Sequence, residues 1–308
     1  MKVVEVGSMT RAAEQLRVAQ PALGLQIRQL ERDLGVDLLV RHSRGAVPTS
    51  AGTRLFERAR SILKLIEETR QEITAAGRRA RENVALGVTP SIMRQLGSDI
   101  LLDARAQLPE VFLSLVEEMS FVLLDALEKE ELDLALAYNV AERPGLVRKP
   151  VLEEDLLLVT APSAEVQGDT IALAKALEYD LVQAGERDMV RRLIHAAAGP
   201  LSLPVKIAFE AQSIAAMKDI AACGVAASIM PFGTAVDELR RGTLTGRRIE
   251  QPAVKRTLYL VRLSKRPPFK HQVAMSRFLE RMLRRLADSL GPLAHPLADV
   301  ADAANLST

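Results

Sequence analysis

Residues 8–49, SMTRAAEQLRVAQPALGLQIRQLERDLGVDLLVRHSRGAVPT, set two short apolar periods side by side. Ala12, Ala13 and Leu16 form the apolar face of one helix, Val18 lies in the connection, and Leu23, Ile27, Leu30 and Leu34 recur at spacings of four and three along a second. Two helices sharing a small core follow. Ser8 can accept a backbone N–H as the N-cap of the first, Gly7 lets the chain turn before it, and the paired alanines allow the close approach of a helix-turn-helix. The second helix starts at Ala19-Gln20-Pro21, where a proline in the first turn sacrifices no hydrogen bond, and Gly35 ends it.

With Leu23, Ile27 and Leu30 turned inward, Gln20, Pro21, Gly24, Leu25 and Arg28 are expected to face outward, the side that a DNA major groove would meet. Gln can pair with adenine edges, Arg with guanine or phosphate, and Leu25 offers an apolar contact to a thymine methyl. Arg41, His42 and Arg44, with Gly45 as turn residue, would form a wing whose cations touch phosphates. The wing positions and the helix specifies.

The run AAEQLRVAQPALGLQIRQLERDLGVDLLVRHSRGAVPTSAG resembles the N-terminal signature of LysR-type transcriptional regulators, and the resemblance continues through the whole chain. The fragments EVGSMTRAAEQLRVAQPAL and LEEDLLLV are most similar to the nitrogen-assimilation control branch of that family. The chain departs from the family in three ways. Ala19 stands where a hydroxyl cap is common, a change that costs about 0.5–2 kcal/mol in other helices. Gly24 and Leu25 stand where polar or cationic residues are frequent, which points to an unusual operator preference. The resemblance also implies a longer first helix, of which Val3, Val4 and Val6 remain, too few to propagate far beyond the nucleation cost. The expectation is a start codon misassigned to Met1, with true residues upstream; mass spectrometry of the native N-terminus tests it.

Charge is distributed unevenly. Residues 1–82 hold 15 Lys and Arg against 10 Asp and Glu, and the remainder 26 against 29. A basic head on a mildly acidic body suits a DNA-binding module joined to a regulatory one. At 308 residues the chain has room for two or three domains. The lone Cys223 excludes an intrachain disulfide framework, and no apolar run is long enough to span a membrane. With no signal peptide visible, a cytoplasmic location is expected.

Residues 50–76 contain no proline and place Leu55, Ala59, Ile62, Ile66 and Ile73 near one stripe, predicting a single long helix capped by Ser50. Its stripe is too long for so small a head to cover, so pairing with a second copy would bury it. The resemblance implies the same linker-helix dimer. Residues 77–83, GRRAREN, read as a hinge, so the head takes 1–49 and the linker with its hinge 50–83. From Val84 onward short aliphatic strands alternate with helices, which predicts two α/β lobes joined by crossing strands. This resembles the family's two-lobed, periplasmic-binding-protein-like (type 2) effector domain. Lobe one is expected to take 84–161 and 264–289, and lobe two 162–263. The tail 290–308 lacks periodicity and is expected to be disordered.

A cleft should lie at the strand C-terminal ends. Thr89 and Ser91 follow the first strand at the mouth of a helix, where hydroxyls and free N–H groups favour an anionic ligand. Ser120, Asn139, Gln212 and Ser213 end or follow other strands, and the resemblance implies that such strand ends line the effector site. A Ser or Asn at such a turn can equally be a helix cap. Elsewhere the chemistry is sparse. His42, His195, His271 and His295 lie far apart without metal-ligand spacing, no phosphate loop, dinucleotide fingerprint or nucleophile elbow is present, and no cofactor is implied. Cys223 lies in a small apolar setting that predicts a buried thiol, while the EED of EEDLLLV reads as a solvated charge cluster. The family reading is a non-enzymatic, dimeric or tetrameric regulator. Its partners would be double-stranded promoter DNA with an interrupted inverted repeat, RNA polymerase and a small-molecule effector. The alternative is a binding protein or enzyme built on the two-lobed body, the N-terminal helices serving only in oligomerisation.

Overall fold

The computed structural model describes residues 1–42, 45–74, 81–162 and 168–306. The chain divides into two compact units, Met1–Ala80 and Arg81–Thr308.

The first unit opens with a one-turn helix α1 (Lys2–Val6), then α2 (Met9–Leu16) and α3 (Gln20–Leu34), the hairpin strands β1 (Leu39–His42) and β2 (Gly45–Pro48), and the long α4 (Ser50–Thr74). The short α1 exists because Val3 packs into the head core beside Ala12, Ala13, Leu23 and Ala46, and because Gly7 closes it in the left-handed conformation at φ 68°. Ser8 caps α2, accepting from Arg11 N–H, and Gly35 ends α3 at φ 69°. The cap of α4 is Thr49 rather than Ser50: its Oγ1 accepts from Gly52 N–H at 3.0 Å. Leu16, Leu30 and Leu34 are exposed rather than inward, since the small core closes on alanines and Leu23. Met1, Val4, Leu30, Leu38, Leu55 and Phe56 border an apolar recess of about 260 Å³ between the helices.

In the second unit β3 (Glu82–Val88), α5 (Pro90–Gln107), β4 (Val111–Glu117), α6 (Ser120–Glu128) and β5 (Leu134–Tyr138) lead into β6 (Leu146–Asp155), which crosses to the second lobe. There lie β7 (Leu157–Thr160), β8 (Thr170–Ala172), α7 (Leu173–Ala176), β9 (Leu181–Gln183), α8 (Met189–Ala198), β10 (Ile207–Glu210) and α9 (Ile214–Ala222). It is completed by β11 (Ser228–Met230), α10 (Phe232–Arg241) and β12 (Thr245–Glu250). The chain returns through β13 (Lys255–Leu263) to α11 (Gln272–Leu290), β14 (Ala294–Pro296) and α12 (Val300–Ala304).

Lobe one is a six-stranded mixed sheet in the order β14-β6-β13-β5-β3-β4. β3 runs parallel to β4 and β5, whereas β13 is antiparallel to β5 and β6. Strand alternation decides its two faces: Leu134, Leu136 and Tyr138 meet α5 and α11, while Ala135 and Ala137 meet α6. In lobe two the four-stranded sheet β11-β7-β12-β8 carries the parallel pair β9 and β10, joined through a bridge between Leu181 and Ala227.

The lobes exchange chain at Leu156 and Val254, not at 161 and 264, because β7 pairs with β11 and β12 while the whole of β13 belongs to the first sheet. The tail is ordered through Leu306. β14 adds an edge to β6, and Ala303, Ala304 and Leu306 are buried in the lobe-one core. It shows no periodicity because a 3-10 turn, a three-residue strand and a five-residue helix are each too short to display one.

Candidate functional site

The head presents one face of α3. Gln20, Pro21, Leu25 and Arg28 are exposed, Leu25 by 57%. Gly24, expected outward, is buried: it lies on the side of α3 that meets α2, where a Cβ would sit 3.8 Å from Met9 Cε. A Cβ there would make an ordinary van der Waals contact, so the position belongs to the helix–helix packing face and not to the groove-facing one. Glu31, also on α3, accepts from the N–H groups of Leu38 and Leu39 at 2.9 and 3.2 Å, fixing the start of the hairpin against the helix. Ala46 N–H donates to Gly7 O at 3.0 Å on the hairpin's return strand. A Cβ on Gly45 would lie 2.3 Å from that same oxygen. The wing is therefore set by two anchors, the Glu31 carboxylate on one strand and the Gly7 carbonyl on the other. Of the three wing residues expected to meet DNA, His42 is exposed on β1, Arg41 occupies that strand, and Arg44 falls outside the described residues.

On α4, Ile62, Leu63, Leu65 and Ile66 are all more than half exposed. Of the stripe expected along the helix, Ile62 and Ile66 are exposed, Leu55 and Ala59 line the head's recess, and the Ile73 side chain lies outside the described residues.

In the second unit, Thr89 and Ser91 flank Pro90 at the start of α5, and both are buried. Ser91 Oγ lies 3.3 Å from Thr89 Oγ1 and accepts from Arg256 Nη2 at 2.8 Å. Arg256 opens β13 opposite Glu154 at the end of β6, where both strands pass between the lobes. Its Nε and Nη2 donate to Glu154 Oε2 at 2.9 and 2.7 Å, and its guanidinium lies 3.5 Å above the Tyr138 ring. Tyr138 O–H donates to the same Oε2 at 2.8 Å. Burial pushes the Tyr138 phenol far above its ordinary pKa, with the Arg256 charge opposing and Glu154 reinforcing, so it remains a proton donor. Glu154 Oε1 is buried without a hydrogen-bond partner among the described residues.

The remaining expected effector residues divide. Ser120 Oγ accepts from Tyr138 N–H at 3.0 Å, which ties α6 to the end of β5. Asn139, exposed and at φ 51°, exchanges hydrogen bonds with the Thr257 backbone, prolonging the pairing of β5 with β13. Gln212 and Ser213 lie exposed in lobe two. Ser213 caps α9, and Gln212 borders Gly185, close to where Arg191 reaches from α8 to Ala184 O and Glu210. Thr89 and Ser91 are thus brought together, and Ser120 and Asn139 join them through β5 and β13.

Sequence reasoning missed Arg256, Glu154 and Tyr138. The EED cluster, read as solvated, contains two nearly inaccessible carboxylates, Glu154 and Asp155, because β6 is an interior strand of the sheet. The signal that could have found them is a charged pair in strands flanked by aliphatic residues, VLEEDLLLV and VKRTLYLV. Cys223, expected buried, is exposed just past the end of α9.

The bacterial regulatory helix-turn-helix protein, lysR family, matches residues 1–53, and the LysR substrate binding domain matches residues 77–287. The nitrogen assimilation regulatory protein of Klebsiella aerogenes is 34% identical over 236 residues, 76% of this chain and 77% of that protein. The regulator BbuR of Bordetella bronchiseptica is 27% identical over 288 residues, 92% of this chain and 88% of its own. Among solved structures, full-length CbnR in complex with its target DNA has the same fold, with a TM-score of 0.67 at 24% identity, over 92% of this chain and 96% of that one. Head and body both carry the family's domains, and the chain belongs to the LysR family of DNA-binding transcriptional regulators with an effector-binding domain.

Proposed function

We propose that this regulator reads promoter DNA as a dimer or tetramer, with α3 in the major groove. Gln20 and Arg28 meet base edges or phosphates, Pro21 and Leu25 pack on the groove wall, and Arg41, His42 and Arg44 clamp the backbone from the wing. The observation that carries this reading is the exposed face of α3 bearing Gln20 and Arg28, held between α2 and a wing anchored at Gly7 and Glu31. Pairing of the α4 stripes would supply the two-fold, so the operator is an interrupted inverted repeat. The protein acts in the cytoplasm, where promoter and RNA polymerase are found, and contacts the polymerase from its bound position.

An effector acts at the junction between the lobes. The corner formed by Thr89, Ser91 and Arg256 is chemically suited to an anion, with Ser120 and Asn139 on its lobe-one side and Gln212 and Ser213 offered by lobe two. Ligand preference for one arrangement of the lobes would then bias the spacing of the reading heads, since only differential affinity can shift such an equilibrium. Hydroxyl-radical footprinting on the region upstream of the chain's own gene tests the DNA part. Two protected half-sites, centred a whole number of helical turns apart, are expected; a single patch or uniform protection would contradict it.

A further inference from the structure

The corner between the lobes holds a complete anion receptor. Arg256 supplies a guanidinium with two donors aimed at one point, the Tyr138 ring backs the cation, and the Tyr138 hydroxyl supplies a third donor. All three converge on Glu154 Oε2. Glu154, Arg256, Tyr138 and Ser91 are all at least nine-tenths buried.

Packing alone does not account for this set. A buried ion pair is commonly no better for stability than apolar residues of the same volume. Among the described residues Glu154 Oε1 also has no hydrogen-bond partner, so the carboxylate is not fully satisfied by them. The position carries more meaning than the energy. Glu154 and Arg256 face each other at the step where β6 leaves lobe one and β13 returns to it. Arg256 also grips Ser91 in the first turn of α5, and the Ser91 carbonyl closely approaches Gly233 at the start of α10 in lobe two. A carboxylate in this receptor therefore holds together both crossing strands and the helix that meets the other lobe.

We propose that the Glu154 carboxylate is the resident anion of the inter-lobe site. It fills the anion-binding corner of the effector site, so an effector meets that corner already neutralised. Free carboxylates are excluded from that corner of the native protein, and operator binding does not respond to acetate. The inference rests on the reading of this junction as the effector site.

The test removes the internal ligand and offers an external one. In the full chain, Glu154→Ala strands the Arg256 charge and is expected to lower the melting temperature of the effector domain by roughly 10 °C. Replacing chloride with acetate at constant ionic strength should restore about 5 °C of that loss, because acetate fits the space vacated beyond Cβ. Anisotropy with the upstream duplex should show acetate-dependent operator affinity for the variant only. The wild type and Glu154→Gln, whose site remains filled, should not respond to acetate.

An acetate response in the wild type would overturn the proposal, as would an alanine variant that treats acetate and chloride alike. If Glu154→Ala folds only in acetate, the proposal is supported. If it folds in neither salt while Glu154→Gln folds, a free carboxylate cannot replace the side chain and the proposal fails. Loss of specific DNA binding by the wild type would instead count against the promoter-reading function, and leaves the thermal response to acetate as a separate readout.

Discussion

Gly45→Ala should damage DNA reading without touching a single residue expected to contact DNA. Gly45 has φ 145°, in a region L side chains rarely adopt, and its Cβ would stand 2.3 Å from Gly7 O. Forcing alanine there costs about 2 kcal/mol in backbone strain. The overlap also pushes the hairpin off Gly7, breaking the bond from Ala46 N–H to Gly7 O for about 1 kcal/mol more. For a unit of this size, about 3 kcal/mol corresponds to a melting temperature lower by about 12–24 °C. Gly35→Ala is the control. It is also left-handed, at φ 69°, but no atom lies within 4 Å of the added Cβ, so it meets only the conformational penalty of about 1–2 kcal/mol. Thermal unfolding of the head, with anisotropy measured below both transitions, separates the two. Gly45→Ala should lose DNA affinity through a displaced wing, while Gly35→Ala should bind almost as the wild type does. Equal stability losses and equal affinities would refute the claim that the Gly7 contact positions the wing.

Three more outcomes follow from the same structure. Leu306→Ala should cost about 2 kcal/mol, a drop of about 4–8 °C in the melting of the effector domain, because the buried Leu306 side chain is lost while its backbone N–H bond to Ser276 Oγ remains; a shift near zero would mean the tail does not pack. Ser91→Ala removes a bond to a buried guanidinium worth about 1.5–3 kcal/mol, so thermal melting should fall clearly while the fold persists. Charging the α4 stripe with Ile62→Glu and Ile66→Glu together should shift sedimentation equilibrium toward monomer and weaken operator binding; an unchanged oligomer would place the interface elsewhere.

The head was legible in the sequence because its signals are local: Ser8, Pro21 and Gly35 mark helix ends within a few residues of the apolar period they bound. The misplacement of Gly24 shows the limit of that reasoning. Its face is decided by α2, and periodicity within α3 alone cannot say which flank a neighbouring helix covers. The inter-lobe corner was half legible. Thr89 and Ser91 announce themselves as hydroxyls after a strand, but Arg256 and Glu154 are 102 residues apart and meet only through the register of β6 with β13. A charged pair looks solvated in one dimension when both strands that bury it are distant. The tail misled for a related reason: its order comes from β6 and α11, not from any pattern of its own.

The most direct test of the central claim is fluorescence anisotropy of the full chain on the duplex upstream of its gene, against a scrambled duplex, across a salt series. Preference for the native duplex that falls steeply with salt is expected, with Arg28→Ala weakening binding and, if Arg28 meets phosphate, flattening the salt dependence by about one unit of slope. Equal, weak binding to both duplexes, unaffected by Arg28→Ala, would contradict the assignment of α3 as the element that reads DNA.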